Sequence, residues 1–118
     1  MSKVDRLSPE LLSSLRTAIP DGTIIFTVSN HKPNWIAQVA SDGVLVETEK
    51  SRREGSPPQL VPAWMVQIAW DELTTLRRLT QARLLHKLNV KRSAAVFAML
   101  ACLPGVEAVQ RPCELRLK

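Results

Sequence analysis

Ten consecutive residues near the C-terminus, Ala94 to Leu103 (AAVFAMLACL), carry no charge and no polar group beyond a thiol. The run has about half the length a membrane span needs, and Pro104-Gly105 stops it. It reads as a helix from about Arg92 to Leu103 that is apolar all round, and such a helix is normally buried on more than one face. The rest of the chain, or a second subunit, must therefore wrap it. Its small residues, Ala94, Ala95, Ala98 and Ala101, permit close packing.

The N-terminal part supplies elements that could do this. Ser8 is placed as an N-cap, Pro9 as the first helical residue, and Glu10 near the positive helix end. Leu7 and Leu12 can form a hydrophobic staple. Leu11, Leu12, Leu15 and Ile19 then share one face until Pro20-Asp21-Gly22 ends the helix. Thr23–Ser29 is dense in β-branched residues and reads as a strand. Asn34–Ala40 and Val44–Lys50 flank Asp42-Gly43, a strong hairpin signal. A two-residue loop there sets Val39 opposite Val46, Ala37 opposite Thr48 and Trp35 opposite Lys50, with Gln38, Glu47 and Glu49 on the wet face. The expectation for residues 1–50 is one helix and a three-stranded meander.

Ser51–Pro58 (SRREGSPP) reads as a loop within a connecting segment, 51–60, where Arg52 and Arg53 are expected to serve solubility. Pro62 opens a helix with the apolar stripe Val66, Ala69, Trp70, Leu73 and Leu76. Thr80 caps a short helix, Gln81–Leu88, with Leu84, Leu85 and Leu88 inward, and Asn89-Val90 turns the chain into the apolar helix. Val106–Val109 can pair across Gln110-Arg111-Pro112 with a tail in which Cys113, Leu115 and Leu117 alternate with Glu114, Arg116 and Lys118. The whole, residues 1–118, is expected to be one α+β domain.

Charge divides along the same boundary. Residues 1–72 hold seven Lys/Arg against nine Asp/Glu, whereas residues 73–118 hold nine against two. From Leu73 to Val106 there are six cations (Arg77, Arg78, Arg83, Lys87, Lys91 and Arg92) and no acid. Such asymmetry speaks of a polyanionic partner rather than of the fold. The helix, short helix, helix and hairpin within AWDELTTLRRLTQARLLHKLNVKRSAAVFAMLACLPGV and the alternating tail resemble the winged helix-turn-helix superfamily, over roughly Val61 to Lys118. The resemblance implies that the third helix faces the DNA major groove and that the hairpin lies on the backbone. Lys91, Arg92 and Ser93 would then sit at the start of that helix, where backbone amides favour a phosphate. Arg83 and Lys87 would flank them, with Arg77 and Arg78 in the same basic stretch. Arg111 at the wing tip, with Arg116 and Lys118 on the wing, would make a second anchor.

Ala94 to Leu103 offers no side chain for a base edge, and major-groove readout needs polar ones. The expected partner is double-stranded DNA held mainly by phosphates, with weak sequence preference, as in a small regulator or the targeting module of a defence assembly. The alternative is a protein-interaction adaptor or homodimer built on the apolar third helix. Trp35, near His31, Lys32 and Asn34, either covers the sheet or stacks on a base. Enzyme readings lack residues: Asp42 with Glu47-Thr48-Glu49-Lys50 misses the Glu-x-Lys of a metal nuclease, and His31 and His86 have no spaced partner for zinc. No catalytic residue, metal or cofactor is expected. Without an apolar leader or spanning segment, the reading is a cytoplasmic chain with no membrane partner and reduced cysteines.

Overall fold

A computed structural model describes residues 4–110 and 113–118. The chain runs α1 (Pro9–Ala18), β1 (Ile24–Phe26), β2 (Pro33–Ala40), β3 (Gly43–Thr48), α2 (Glu49–Glu54), β4 (Gln59–Pro62), α3 (Ala63–Leu76), β5 (Arg78–Thr80), α4 (Gln81–His86), α5 (Ser93–Ala101), β6 (Val106–Val109) and β7 (Glu114–Leu117). Two antiparallel sheets form, a four-stranded one ordered β1-β2-β3-β4 and a three-stranded one ordered β5-β7-β6.

Helix α5 lies at the centre. Val96, Phe97, Ala98, Met99 and Leu100, five residues in a row, are all buried, so the helix is covered around its full circumference. Its neighbours are α3, α4, β6 and, from the N-terminal sheet, β1. The cover therefore comes from this chain. For a partner or second copy the apolar run leaves only Ala94, Ala95, Ala101 and Cys102 at least partly uncovered. Helix α1 packs on β2 through Leu11 and Leu15, and α3 lies against β3, β4 and α5. The buried amide of Gln67 ties two of these helices together. Its Oε1 accepts the Ser8 N–H at 2.8 Å, and its Nε2 donates to Asp71 Oδ1 at 2.9 Å.

The local signals that set helix ends act as expected. Ser8, Thr48 and Thr80 each accept a backbone N–H two or three residues into their helices. Three expectations need correction. First, the meander has four strands, because 51–60 is no simple loop: a Thr48/Ser51 capping box and left-handed Gly55 make α2, and β4 follows. Second, the hairpin turn is Ser41-Asp42 and not Asp42-Gly43, so Val39 pairs with Val44, Ile36 with Val46 and Trp35 with Glu47. The carbonyls of Ser41 and Asp42 accept the N–H groups of Leu7 and Ala63 at 2.8 and 2.9 Å, which pins the turn there. A bulge between Ile36 and Gln38 then restores the phase, letting Ile36 and Val39 both face the core although three residues apart. Third, Leu76 and Leu85 are exposed rather than inward. Leu76 is the last residue of α3, and the six-residue α4 buries only Leu84.

Gly43 has φ 143°, and a Cβ there would lie 2.2 Å from the Val61 carbonyl oxygen on the neighbouring strand. Gly43→Ala is expected to cost well over about 1 kcal/mol and to lower the urea midpoint more than Gly22→Ala, since a Cβ on Gly22 meets nothing within 4 Å. Equal midpoints would show that the close approach does not constrain the hairpin.

Candidate nucleic-acid interface

The sequence-derived cations separate into two groups. On the small sheet, Arg78 and Arg116 stand opposite each other in register and both reach Glu114, at 3.5 and 2.7 Å. Glu114 is buried, although it alternates with apolar neighbours, and its charge is met by these two guanidinium groups. Arg77 takes a left-handed conformation at the end of α3 and donates to the Lys118 carbonyl at 2.9 Å. Arg83 is bound to Glu72 at 2.5 Å. These four arginines are thus engaged within the fold. Lys87 is exposed at the end of α4, and Arg111 lies outside the described residues.

The second group lies around the start of α5. Lys91, Arg92 and Ser93 line one wall of a groove of about 530 Å³, together with Ala94, Ala95 and Leu85. The facing wall is N-terminal: Thr27, Asn30 and Lys32 from the β1–β2 connection, Pro33 and Asn34 from the start of β2, Val46 and Thr48 from β3, and Glu49, Lys50 and Arg53 from α2. Lys50 and Arg53 reach the groove together because residues three apart share a helix face. Lys32, Lys50 and Arg53 come from the half of the chain that is acidic in sum, and sequence reasoning passed over them as site residues. The capping box that makes α2 could have pointed to Lys50 and Arg53 by putting them on one face; no local signal marks Lys32.

The groove contains five cations against one carboxylate, Glu49. Among the described residues none of the five takes part in an ion pair. Arg92 is fixed by a hydrogen bond from its Nη1 to Gln59 Oε1 at 2.6 Å. Helix α5 has Arg92 at its N-cap position with no side-chain cap. Its first amides therefore lack intrahelical acceptors, and the residues carrying them, Ser93, Ala94 and Ala95, line the groove. Asn34 and Ser93 add buried polar side chains to the lining. Ser93 Oγ accepts from Gln81 Nε2 at 3.5 Å, and Gln81 Oε1 in turn accepts from Cys113 Sγ at 3.0 Å. Partial burial pushes the Cys113 and Cys102 thiols above their ordinary range, so both stay protonated at neutral pH.

Among the described residues no group of three or more His, Cys, Asp or Glu could hold a metal ion, and no helix is long and apolar enough to cross a membrane. Compared with protein-family models, curated proteins and solved structures, the chain matches none.

Two outcomes are expected from this geometry. Replacing Arg78 and Arg116 together by Gln should change the affinity for a polyanion far less than replacing Lys91 and Arg92, measured by fluorescence anisotropy at low salt. At pH 8 both thiols should react with a disulfide reagent more slowly than free cysteine, because little thiolate is present. A fast-reacting thiol would mean that burial does not set its acidity.

Proposed function

We propose that the chain binds DNA non-catalytically through its phosphate backbone, with Lys91, Arg92, Lys32, Lys50 and Arg53 as the principal contacts. The observation that carries this reading is the convergence of five cations, without ion-pair partners among the described residues and drawn from both halves of the chain, on one groove beside uncapped helix amides. A groove with low-dielectric walls and one sign of charge focuses its field on an anion. Helix amides without intrahelical acceptors add donors that suit phosphate oxygens.

The element order α3–β5–α4–α5–β6–β7 supports the winged-helix reading, since it carries the helix, short helix, helix and hairpin that the resemblance implies. Yet α5 would serve such a protein differently from a base-reading helix. Its long side chains are buried, and what remains at its surface is small: Ala94, Ala95, Ala101 and Cys102. Contacts of this kind position a protein on nucleic acid without specifying a sequence. A regulator with a strict operator is a poor fit to this surface; a general DNA-binding or targeting module is the better one.

Anisotropy with a labelled duplex across a salt series tests the proposal. Affinity should fall steeply as salt rises, because each phosphate neutralised releases counterions. Lys91→Glu with Arg92→Glu should reduce binding by at least about a hundredfold, and randomising the duplex sequence should change little. Binding that is absent, or indifferent to salt, would overturn the proposal.

A further inference from the structure

The outer face of the four-stranded sheet, which shares Pro33 with the groove, is unusual in its side chains. Alternation along the strands turns Ile25, Asn34 and Ile36 inward, so Ile24, Phe26, Pro33 and Trp35 point outward. Registry sets Ile24 beside Trp35 and Phe26 beside Pro33, which makes Phe26 and Trp35 diagonal neighbours. Phe26 is 51% exposed on an edge strand, where burial gives it no return. The Arg52 guanidinium lies over the Trp35 ring, 4.4 Å from its centroid. At the other end the His31 ring stands 6.1 Å from that of Phe26.

His31 is held there by the backbone. It has φ 55°, an uncommon conformation for a side-chain-bearing residue. The turn is closed by backbone bonds from His31 N–H to the Thr27 carbonyl and from Thr27 N–H to the Lys32 carbonyl, each 2.9 Å. The buried Thr27 hydroxyl also accepts the Lys32 N–H at 2.9 Å and donates to Asn30 Oδ1. Four planar groups (Arg52, Trp35, Phe26 and His31) thus form one strip that ends at the same turn whose Lys32 and Pro33 line the cationic groove.

We propose that this strip is a stacking platform for unpaired bases, so that a single strand whose backbone lies in the groove lays its bases on Phe26 and Trp35. The inference rests on the groove's reading as a phosphate site and adds the substrate class, single-stranded nucleic acid. Charge selects this occupant over an apolar protein surface. The strip ends at Lys32 beside the cationic groove, and the carboxylate across from Trp35, Glu47, is already paired with Arg52 at 3.8 Å. Every base presents a π-face, so planar side chains beside a cationic groove bind single strands with little sequence preference.

The test compares three labelled probes of about 15 nucleotides, a length suited to such sites: oligo-thymidine, a strand of abasic residues with the same phosphates, and a duplex. Oligo-thymidine should bind about tenfold or more tightly than the abasic strand. Phe26→Ala with Trp35→Ala should erase that difference while leaving abasic and duplex affinities unchanged, and Trp35→Phe, which keeps a ring, should retain most of it. Unchanged abasic and duplex affinities also show that the variant is folded. Equal binding of the first two probes by the wild type, or a preference that survives removal of both rings, would overturn the platform while leaving the groove intact. Self-association abolished in the same double variant, seen by sedimentation, would overturn it too, by giving the face to a second copy. Failure to bind any probe at low salt would sink the groove as well.

Discussion

The fold depends on the need to bury helix α5 on every side. Val96 to Leu100 present large apolar groups in all directions, and no single layer of structure can cover them. The helices α3 and α4 cover part, and the small sheet covers another part through β6. What they leave open is closed by the N-terminal sheet, which reaches α5 through β1. Desolvating that helix is thus what brings the two halves of the chain together. Transfer energies of about 25 cal/mol per Å² of apolar surface favour such a union strongly.

The groove is a by-product of this packing with electrostatic consequences. The sheet reaches α5 but leaves space at its first turn, where the β1–β2 connection and α2 line a groove together with Lys91 and Arg92. Cations far apart in sequence, such as Lys32 and Lys91, become neighbours there. Elsewhere the fold neutralises its arginines, giving Glu114 to Arg78 and Arg116 and Glu72 to Arg83. Net charge alone would not distinguish these two environments; the distribution of carboxylates does. The proposed DNA site is where the carboxylates are scarce.

How much of this could be read from the residues alone depends on the range of the interactions involved. Helix starts were legible, since an N-cap such as Ser8 or Thr80 bonds within its own first turn. The burial of Val96–Leu100 and Leu103 was legible as a necessity, though the identity of the cover was not. The hairpin register was misread because Ser41 and Asp42 are held by Leu7 and Ala63, contacts that no local pattern records. Strands β4 and β5, at four and three residues, exist by pairing with β3 and β7 and carry little periodicity of their own. The same holds for the site. Lys91, Arg92 and Ser93 were placed from their position before a helix, whereas Lys32, Lys50 and Arg53 depend on tertiary packing, and the pairing of Arg78, Arg83 and Arg116 depends on which acids lie nearby.

The central claim is that one polyanion site is assembled from both halves of the chain, and the salt dependence of duplex binding after N-terminal neutralisation tests it most directly. With Lys32→Gln and Lys50→Gln together, the slope of log affinity against log salt should become shallower by about two, one for each phosphate that no longer meets a cation. A slope unchanged from that of the wild type would contradict the claim, because the N-terminal wall would then contribute nothing to binding.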